Sequence, residues 1–182
     1  LAVYSAFTLR DYIRKNSFVD FNTILSCPFI PSITILAPAF NEGRTIVENV
    51  RALLSLYYPD YEVVVINDGS KDDTLAKLID EYDLELTNHF IEYAIPTQDV
   101  RGIYRSRIPS FAKLLVIDKL NGGKADSLNA GINLARGDLF VAIDVDSIVE
   151  SDAMLKMVKP FLEETDEKVI AVGGVIRVIN DC

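Results

Sequence analysis

Five short apolar runs recur along the chain, and each ends at a proline, a glycine or a polar residue. Many of their residues are β-branched and most do not alternate with polar ones, which is typical of strands covered on both faces of a sheet. The runs lie at residues 33–37, 61–66, 114–117, 139–143 and 169–172. We therefore predict five strands of a mostly parallel sheet.

Between these runs, apolar residues recur at spacings of three and four, which predicts amphipathic helices. Ser70 and Asp73 offer an N-terminal cap for the second helix, and Pro160 is expected to end or bend the fourth. The predicted helices lie at residues 46–57, 75–82, 125–132 and 154–161. Strands that alternate with helices indicate an α/β fold, a mostly parallel sheet flanked by helices.

Two segments do not follow this pattern. Residues 1–31 have no clean period, and we interpret them as a lead-in segment before a single α/β domain at residues 32–182. Residues 85–112 contain Pro96 and Pro109 and show no period, so we predict an insertion or a long loop there. The chain starts with leucine and ends in a predicted strand, which suggests a piece of a longer protein.

The formal net charge of −9 argues against a nucleic-acid partner and leaves room for a bound cation. The two cysteines are far apart, and His89 is the only histidine, so we expect neither a Cys/His zinc site nor a disulfide framework. Nothing in the sequence approaches the roughly 20 apolar residues of a membrane span.

Polar side chains follow four of the predicted strands, at residues 38–42, 67–70, 121–124 and 144–146. Ligands of open α/β sheets bind outside the carboxyl ends of the strands. Because parallel strands share one carboxyl edge, we expect these four segments to meet and to form a binding site.

Gly122, Gly123 and Lys124 stand immediately before the third predicted helix. Glycines allow the backbone close to a ligand, and a helix start offers free N–H groups beside a lysine charge. This arrangement suits a phosphate, although a plain helix-entry turn with an exposed lysine explains it equally well. The segment is not a P-loop, and the chain has no GxGxxG pattern, so a dinucleotide fold is not supported.

Asp144 and Asp146 follow the fourth strand, one residue apart. If strand geometry persists through Asp146, both carboxylates face the same side. Mg²⁺ and Mn²⁺ prefer oxygen ligands and often combine one or two carboxylates with substrate phosphates, so a metal here could neutralise a diphosphate leaving group. The alternative is that these acids simply favour the start of the helix that follows.

Asp68 and Glu42 allow two interpretations each. Asp68 precedes a glycine and fits an ordinary turn, or it could accept a hydrogen bond from the N–H of a nucleobase. Glu42 could contact a ligand, or it could stabilise the first turn of a helix. His89 has no evident catalytic partner.

Five stretches, taken in order, resemble the motifs of family 2 glycosyltransferases. "APAFNEGRTI" resembles P-x-Y-N-E, with Phe40 in place of the usual tyrosine, and "EVVVINDGSKDDT" resembles D-G-S-x-D-x-T. "NGGKADSLNAGINLARGD" resembles G-G-K-x-x-A-L-N, with Ser127 where alanine is common, and "VAIDVDS" resembles D-x-D. "VGGVIRVIN" is similar to the next strand of the processive, membrane-embedded synthases of hyaluronan, chitin, cellulose and poly-N-acetylglucosamine.

This resemblance implies that residues 32–182 are the N-terminal, nucleotide-sugar-binding part of a domain with the GT-A fold, which binds a nucleotide-diphospho-sugar, usually a UDP-sugar. It also implies Mg²⁺ or Mn²⁺ as cofactor, an inverting transfer to a saccharide acceptor, and a parent protein at the cytoplasmic face of a membrane. The implied ligands are Pro38, Ala39 and Glu42 for the nucleoside, Asp68 for the base, Gly123 and Lys124 for the nucleotide, Asp144 for the ribose or sugar, and Asp146, with Asp144, for the metal.

The family's general base is an acid in a motif further downstream, which here would lie beyond Cys182. Because the acceptor hydroxyl must lose its proton as it attacks, we expect the fragment to bind donor weakly and not to turn over. One alternative is a phosphatase of the haloacid dehalogenase class with Asp144 as nucleophile, although Ile148 should then be threonine or valine. Another is a non-catalytic nucleotide-sugar-binding module.

Overall fold

Four of the five predicted strands are neighbours in one six-stranded sheet, and they run parallel. The computed structural model describes residues 24–25, 29–87, 94–162 and 169–174. The strand order is β3-β4-β5-β2-β1-β6. In chain order the strands are β1 (Ile33–Ala39), β2 (Tyr61–Asp68), β3 (Leu84–Leu86), β4 (Val100–Ser106), β5 (Leu114–Lys119) and β6 (Leu139–Ala142).

All four predicted helices are present. They are α1 (Ile46–Leu54), α2 (Thr74–Tyr82), α3 (Lys124–Ile132) and α4 (Ala153–Leu162), and a short 3-10 helix covers Pro109–Phe111. The first is shorter than predicted and ends at Leu54. Pro160 lies inside α4 and does not end it, since Phe161 and Leu162 are still helical.

The prediction of a loop at residues 85–112 is wrong, because this segment contains most of β3 and all of β4. Both strands are antiparallel, β3 to β4 and β4 to β5. Only Ile103 of β4 is fully buried, and a bulge lies between Val100 and Gly102. A half-exposed strand with a bulge and charged residues lacks the continuous apolar run that identified the parallel strands.

The predicted strand at residues 169–172 is also wrong. Residues 169–174 have no regular secondary structure, and Ile170 is 86% exposed. An apolar run becomes a strand only where a neighbouring strand satisfies its backbone groups, and within the described residues no strand pairs with this run.

An apolar stripe crosses the face of the sheet that α3 covers. Leu36, Val64, Ile66, Leu115 and Ile117 are buried there, and Leu128 and Ile132 of α3 pack against them. Successive residues of a strand point to opposite faces, so the stripe continues along β2 to Asp68 and along β5 to Lys119. The stripe therefore ends in two charged residues at the carboxyl edge.

Residues 31–151 form one compact unit, which contains the whole sheet. Residues 1–30 and 152–182 are assigned to a second unit, in which α4 buries Met154, Leu155 and Val158. The predicted lead-in segment lies mostly outside the described residues, as does His89. Over the part of the chain that is described, none of the helices has the length and apolar character needed to span a bilayer.

Ser127 gives a first stability prediction. It is fully buried in α3, and its hydroxyl has no hydrogen-bond partner. An unpaired buried hydroxyl is costly and alanine is the better helix former, so we expect Ser127→Ala to raise the free energy of unfolding by about 1 kcal/mol in urea denaturation.

Ser106→Ala is the matched control, because the Ser106 hydroxyl donates to the Tyr82 carbonyl at 2.6 Å and accepts the Ile108 N–H at 3.0 Å. The same substitution should be destabilising there by about 1 kcal/mol. Destabilisation by Ser127→Ala would mean that its hydroxyl has a partner in solution.

Candidate functional site

The carboxyl ends of β1, β2, β5 and β6 lie at one edge of the sheet, as the sequence predicts for parallel strands. The loop after β1 is bonded directly to the loop after β2. The Asn41 N–H donates to Ser70 Oγ at 2.9 Å, and the Lys71 N–H donates to Asn41 Oδ1 at 2.8 Å. Asn41 adopts a left-handed conformation with φ 57°, which asparagine tolerates better than most residues.

Asp72 joins the same two loops and also caps α2. Its carboxylate accepts the Gly43 N–H at 2.9 Å and the Thr74 N–H at 3.0 Å. The predicted cap from Ser70 and Asp73 is therefore wrong, since Asp73 occupies the cap position but its side chain makes no cap hydrogen bond. Asp72, one residue before the cap position, accepts the N–H of the first helical residue instead.

Asp68 connects the end of β2 to the turn between β5 and α3, which contains Gly122 and Gly123 and is called the glycine turn. Its Oδ1 accepts Lys119 Nζ at 2.7 Å and the Gly122 N–H at 2.9 Å, and its Oδ2 accepts the Gly123 N–H at 2.8 Å and Asn121 Nδ2 at 3.1 Å. The residue is only 4% exposed. Two donors on each oxygen fill the acceptor capacity of a carboxylate.

These contacts keep Asp68 ionised. Burial alone would raise the pKa of this carboxyl group, but hydrogen bonds from Lys119 and from the Gly122 and Gly123 amides outweigh burial, and the pKa is lowered. A carboxylate with a lowered pKa contributes stability above its ordinary pKa, and that stability is lost as the pH falls through the lowered value.

The glycine turn had two interpretations, a phosphate site and a plain helix-entry turn, and both stay predictions. The Gly122 and Gly123 amides point to Asp68 rather than to an open face. Gly123 keeps its predicted position at the start of α3, with φ 83°. Contact between Asp68 and a nucleobase stays a prediction, and the base N–H would have to replace a present donor, of which Asn121 is the most distant.

Lys119 and Asp126 belong to the same cluster, and neither was predicted from the sequence as a site residue. Lys119 Nζ is fully buried, and Asp126 Oδ2 lies 2.5 Å away as an ion pair without hydrogen-bond geometry. The signal was present in the alternation of β5, where Leu115, Ile117 and Lys119 share one face. A lysine that continues an apolar stripe must have buried partners.

Lys124 and Asp144 bring α3 and the loop after β6 together. Lys124 is the first residue of α3, and its Nζ forms an ion pair with Asp144 Oδ1. The two side chains are 60% and 52% exposed, so water screens the pair and it adds little stability. Both groups remain accessible to a ligand at this edge.

The condition under which Asp144 and Asp146 would face the same side, strand geometry that persists through Asp146, is not met. β6 ends at Ala142, and the Ser147 N–H donates to the Asp144 carbonyl at 2.9 Å, which closes a turn. Val145 is buried at 3% exposure, and the two acids beside it are exposed. Two accessible carboxylates are suitable ligands for Mg²⁺ or Mn²⁺, but no set of three potential metal ligands occurs in the described residues, so phosphate oxygens would have to complete the shell.

The remaining predicted nucleoside ligands lie at the end of β1. Pro38 and Ala39 pair in register with Ile66 and Asn67 of β2. Ala39 is 2% exposed. The Glu42 carbonyl accepts the Ile46 N–H at 2.9 Å, but Glu42 lies before the Thr45 cap position. It therefore lies outside the first turn of α1, contrary to its helix interpretation, and Glu48 is the acid there.

A second polar cluster, also missed from the sequence, lies on the other face of the sheet at this edge. Asp118 Oδ1 accepts Asn67 Nδ2 at 2.7 Å and Arg101 Nη2 at 2.6 Å. The buried Asn67 Oδ1 has no partner. Arg101 reaches Asp118 from the bulge of β4, in the segment that was predicted to be a loop.

Comparison with known proteins identifies relatives over most of the chain. The glycosyl transferase family 2 model matches residues 34–181. A poly-beta-1,6-N-acetyl-D-glucosamine synthase of Staphylococcus aureus (strain COL) is 32% identical over 179 residues, 98% of this chain. The Staphylococcus epidermidis (strain ATCC 35984) synthase is 30% identical over 83% of the chain. The chain spans 36% and 30% of the lengths of these relatives.

Solved structures share the fold. A mannosyltransferase of Pyrobaculum calidifontis, in complex with GDP-Man and Mn²⁺, matches with a TM-score of 0.56 and 22% identity over 89% of this chain and 42% of its own. S. aureus TarS 1-349, in complex with UDP-GlcNAc, matches with a TM-score of 0.50 and 22% identity over 72% and 31%. The predicted fold class, a GT-A α/β domain with a mostly parallel sheet, is confirmed.

Proposed function

Because the chain belongs to glycosyl transferase family 2, we propose that it is the donor-binding part of an enzyme that transfers a sugar from a nucleotide-diphospho-sugar to a saccharide acceptor. The observation that carries this proposal is the convergence of the loops after β1, β2, β5 and β6. Three contacts join them in sequence, namely Asn41 to Ser70, Asp68 to Gly123, and Lys124 to Asp144.

The donor is a UDP-sugar, and UDP-GlcNAc is the first to test. Two facts support this choice: the relatives are named as poly-N-acetylglucosamine synthases, and the TarS structure of the same fold holds UDP-GlcNAc. Pro38, Ala39, Glu42 and Asp68 line the nucleoside side of the site, and Gly123 and Lys124 lie at the diphosphate. Ala39 is buried, so it meets the nucleoside through its backbone.

The diphosphate side of the site contains exposed groups of both signs. Asp146 and Asp144 would hold Mg²⁺ or Mn²⁺, and a bound ion would neutralise charge that develops on the departing diphosphate. Lys124 forms an ion pair with Asp144. When the donor binds, Lys124 would break this pair and contact a phosphate oxygen instead. The sugar would leave by direct displacement with inversion, and the acid that takes the acceptor proton would lie beyond Cys182.

The parent protein would work at the cytoplasmic face of a membrane, where donor is supplied and a polysaccharide product can leave. The naming of the relatives as polysaccharide synthases supports this placement. The family match gives no support to the phosphatase alternative, whose signature would be a covalent phosphate on Asp144. A parent without a downstream acid would favour the non-catalytic module.

Calorimetric titration with UDP, with and without Mn²⁺, tests the donor site. We expect Mn²⁺ to strengthen UDP binding by at least about tenfold in the wild-type chain, because the ion shares charge between Asp146 and the phosphates. Asp146→Ala should abolish this gain. Asp80→Ala is the matched control, since it removes an exposed acid from α2. UDP binding that neither Mn²⁺ nor Asp146→Ala alters would contradict the metal role.

A further inference from the structure

Lys119 is a fully buried lysine at the end of β5, and the proposed function does not use it. Its backbone lies in register beside that of Asp68 in β2. Three oxygens surround its ammonium group: Asp68 Oδ1 at 2.7 Å, the Leu120 carbonyl at 2.6 Å and Asp126 Oδ2 at 2.5 Å. The side chain has no exposed surface.

A buried charge at this position calls for an explanation. Lys119 continues the apolar stripe of Leu115 and Ile117, where another aliphatic residue would fit the pattern. Removing an ammonium from water costs several kcal/mol, and apolar replacements of buried ion pairs are often neutral or stabilising. Stability alone therefore does not explain why a lysine occupies this position. A role in fixing the geometry of its partners would explain it.

The two acidic partners of Lys119 lie on either side of the glycine turn: Asp68 is hydrogen-bonded to it, and Asp126 packs against it. Asp68 accepts the Gly122 and Gly123 amides, and Asp126, in the first turn of α3, accepts the Gln98 N–H at 2.9 Å. A side chain at Gly122 would collide with the Asp126 carboxylate, so this acid lies directly against one side of the turn. One ammonium thus links both acids that surround the turn.

The turn leads directly into Lys124, whose ammonium reaches Asp144. We propose that Lys119 is a positioning residue that fixes Asp68 and Asp126 around the glycine turn and thereby holds Lys124 at the diphosphate side of the donor site. The placement of Lys124 at the diphosphate side rests on the proposed function, whereas the fixing of Asp68 and Asp126 around the turn does not.

A charge-balanced variant tests the holding of the turn without any ligand. Lys119→Met combined with Asp126→Asn leaves the net charge of the cluster unchanged, so no additional buried charge is left uncompensated. We expect amide hydrogen exchange at Gly122 and Gly123 to accelerate by at least about tenfold, because their acceptor is no longer held in place. Exchange in Val64 and Ile66 of β2 should stay at wild-type rates.

Asp126→Asn alone is the second variant, in case the double variant does not fold. It keeps the Lys119–Asp68 pair and should accelerate the two glycine amides in the same direction by a smaller factor. Wild-type exchange rates at both glycines, in whichever variant folds, overturn the proposal.

Binding of UDP with Mn²⁺ separates positioning from a merely structural role. We expect the charge-balanced variant and Lys124→Met each to weaken UDP binding by about tenfold, which is the scale of one charge-assisted hydrogen bond. The combined variant should lose less than the product of the two single losses, because part of the effect of Lys119 passes through Lys124. Lys113→Met is the matched control, since it removes the same charge at the opposite end of β5 and should leave UDP binding unchanged.

The outcomes distinguish the two proposals. Fully multiplying losses in the combined variant overturn the positioning of Lys124 by Lys119, because Lys119 would then act on UDP only by another route. Failure of the wild-type chain to bind UDP overturns the proposed donor site, and the glycine exchange rates still decide whether Lys119 holds the turn.

Discussion

Asp68→Ala should lower the free energy of unfolding by about 3 kcal/mol, the largest loss we expect from a single substitution at the candidate site. The change removes the acceptor of four donors at once and takes one counter-charge from the buried Lys119. We place the loss at the low end of the range for broken buried ion pairs, because Lys119 keeps Asp126 and water can reach the glycine turn. Urea denaturation followed by circular dichroism measures it, and the midpoint of thermal unfolding should fall by about 6–12 °C.

Asp138→Ala is the matched control for this prediction. Asp138 also accepts hydrogen bonds across a loop, from the Ser32 N–H at 2.9 Å and the Ser32 hydroxyl at 2.8 Å, but it is exposed. Water can replace its contacts, so the loss should be much smaller than at Asp68. Equal losses at the two positions would show that burial of the Asp68 cluster has no energetic consequence.

The parallel part of the sheet was predictable because its strands contain short, mostly apolar runs, although no residue of the edge strand β6 is buried. β2 and β5 each contain four consecutive buried apolar residues, 63–66 and 114–117, and this composition identifies them without any knowledge of their neighbours. β4 could not be found in this way. Its half-exposed pattern depends on pairing with β5 and on a bulge, and both are properties of the folded chain.

The location of the candidate site was predictable for a related reason. Parallel strands bring their carboxyl ends to one edge, so polar residues that follow separate strands must meet there. The hydrogen-bond partner of each polar group at this edge was not predictable. Gly122 and Gly123 looked open to a phosphate, yet their amides donate to Asp68, because two loops approach each other in a way that sequence spacing does not encode.

Lys119 and Asp146 show where strand alternation is informative. Lys119 was overlooked although the alternation of β5 places it beside Asp68. A shared orientation of Asp144 and Asp146 required strand geometry through Asp146, whereas the chain turns at Asp144 and Val145 is buried. Alternation is informative only within the paired length of a strand, and β6 pairs with β1 for only four residues, Leu139 to Ala142.

Gly137→Ala should destabilise the chain by about 2–3 kcal/mol, whereas Gly131→Ala should change its stability by less than about 1 kcal/mol. A β-carbon at Gly137 would lie 2.6 Å from the Thr34 backbone nitrogen and 2.8 Å from the Leu139 carbonyl oxygen. These are main-chain atoms of β1 and β6, and they cannot yield without breaking the pairing between the two strands.

Gly131 meets a different obstacle, and this makes it the matched control. Its β-carbon would lie 2.9 Å from Leu36 Cδ2 and 3.2 Å from Ile66 Cδ1, the ends of side chains that can move, and alanine is the better helix former. Comparable losses at both positions in urea denaturation would contradict this distinction. Both glycines also matter for the site. Gly131 allows α3 to pack closely on the sheet, and Gly137 allows β6 to pair with β1. Lys124 and Asp144 project from the ends of these two elements, so the placement of the proposed diphosphate site depends on two glycines at the far side of the fold.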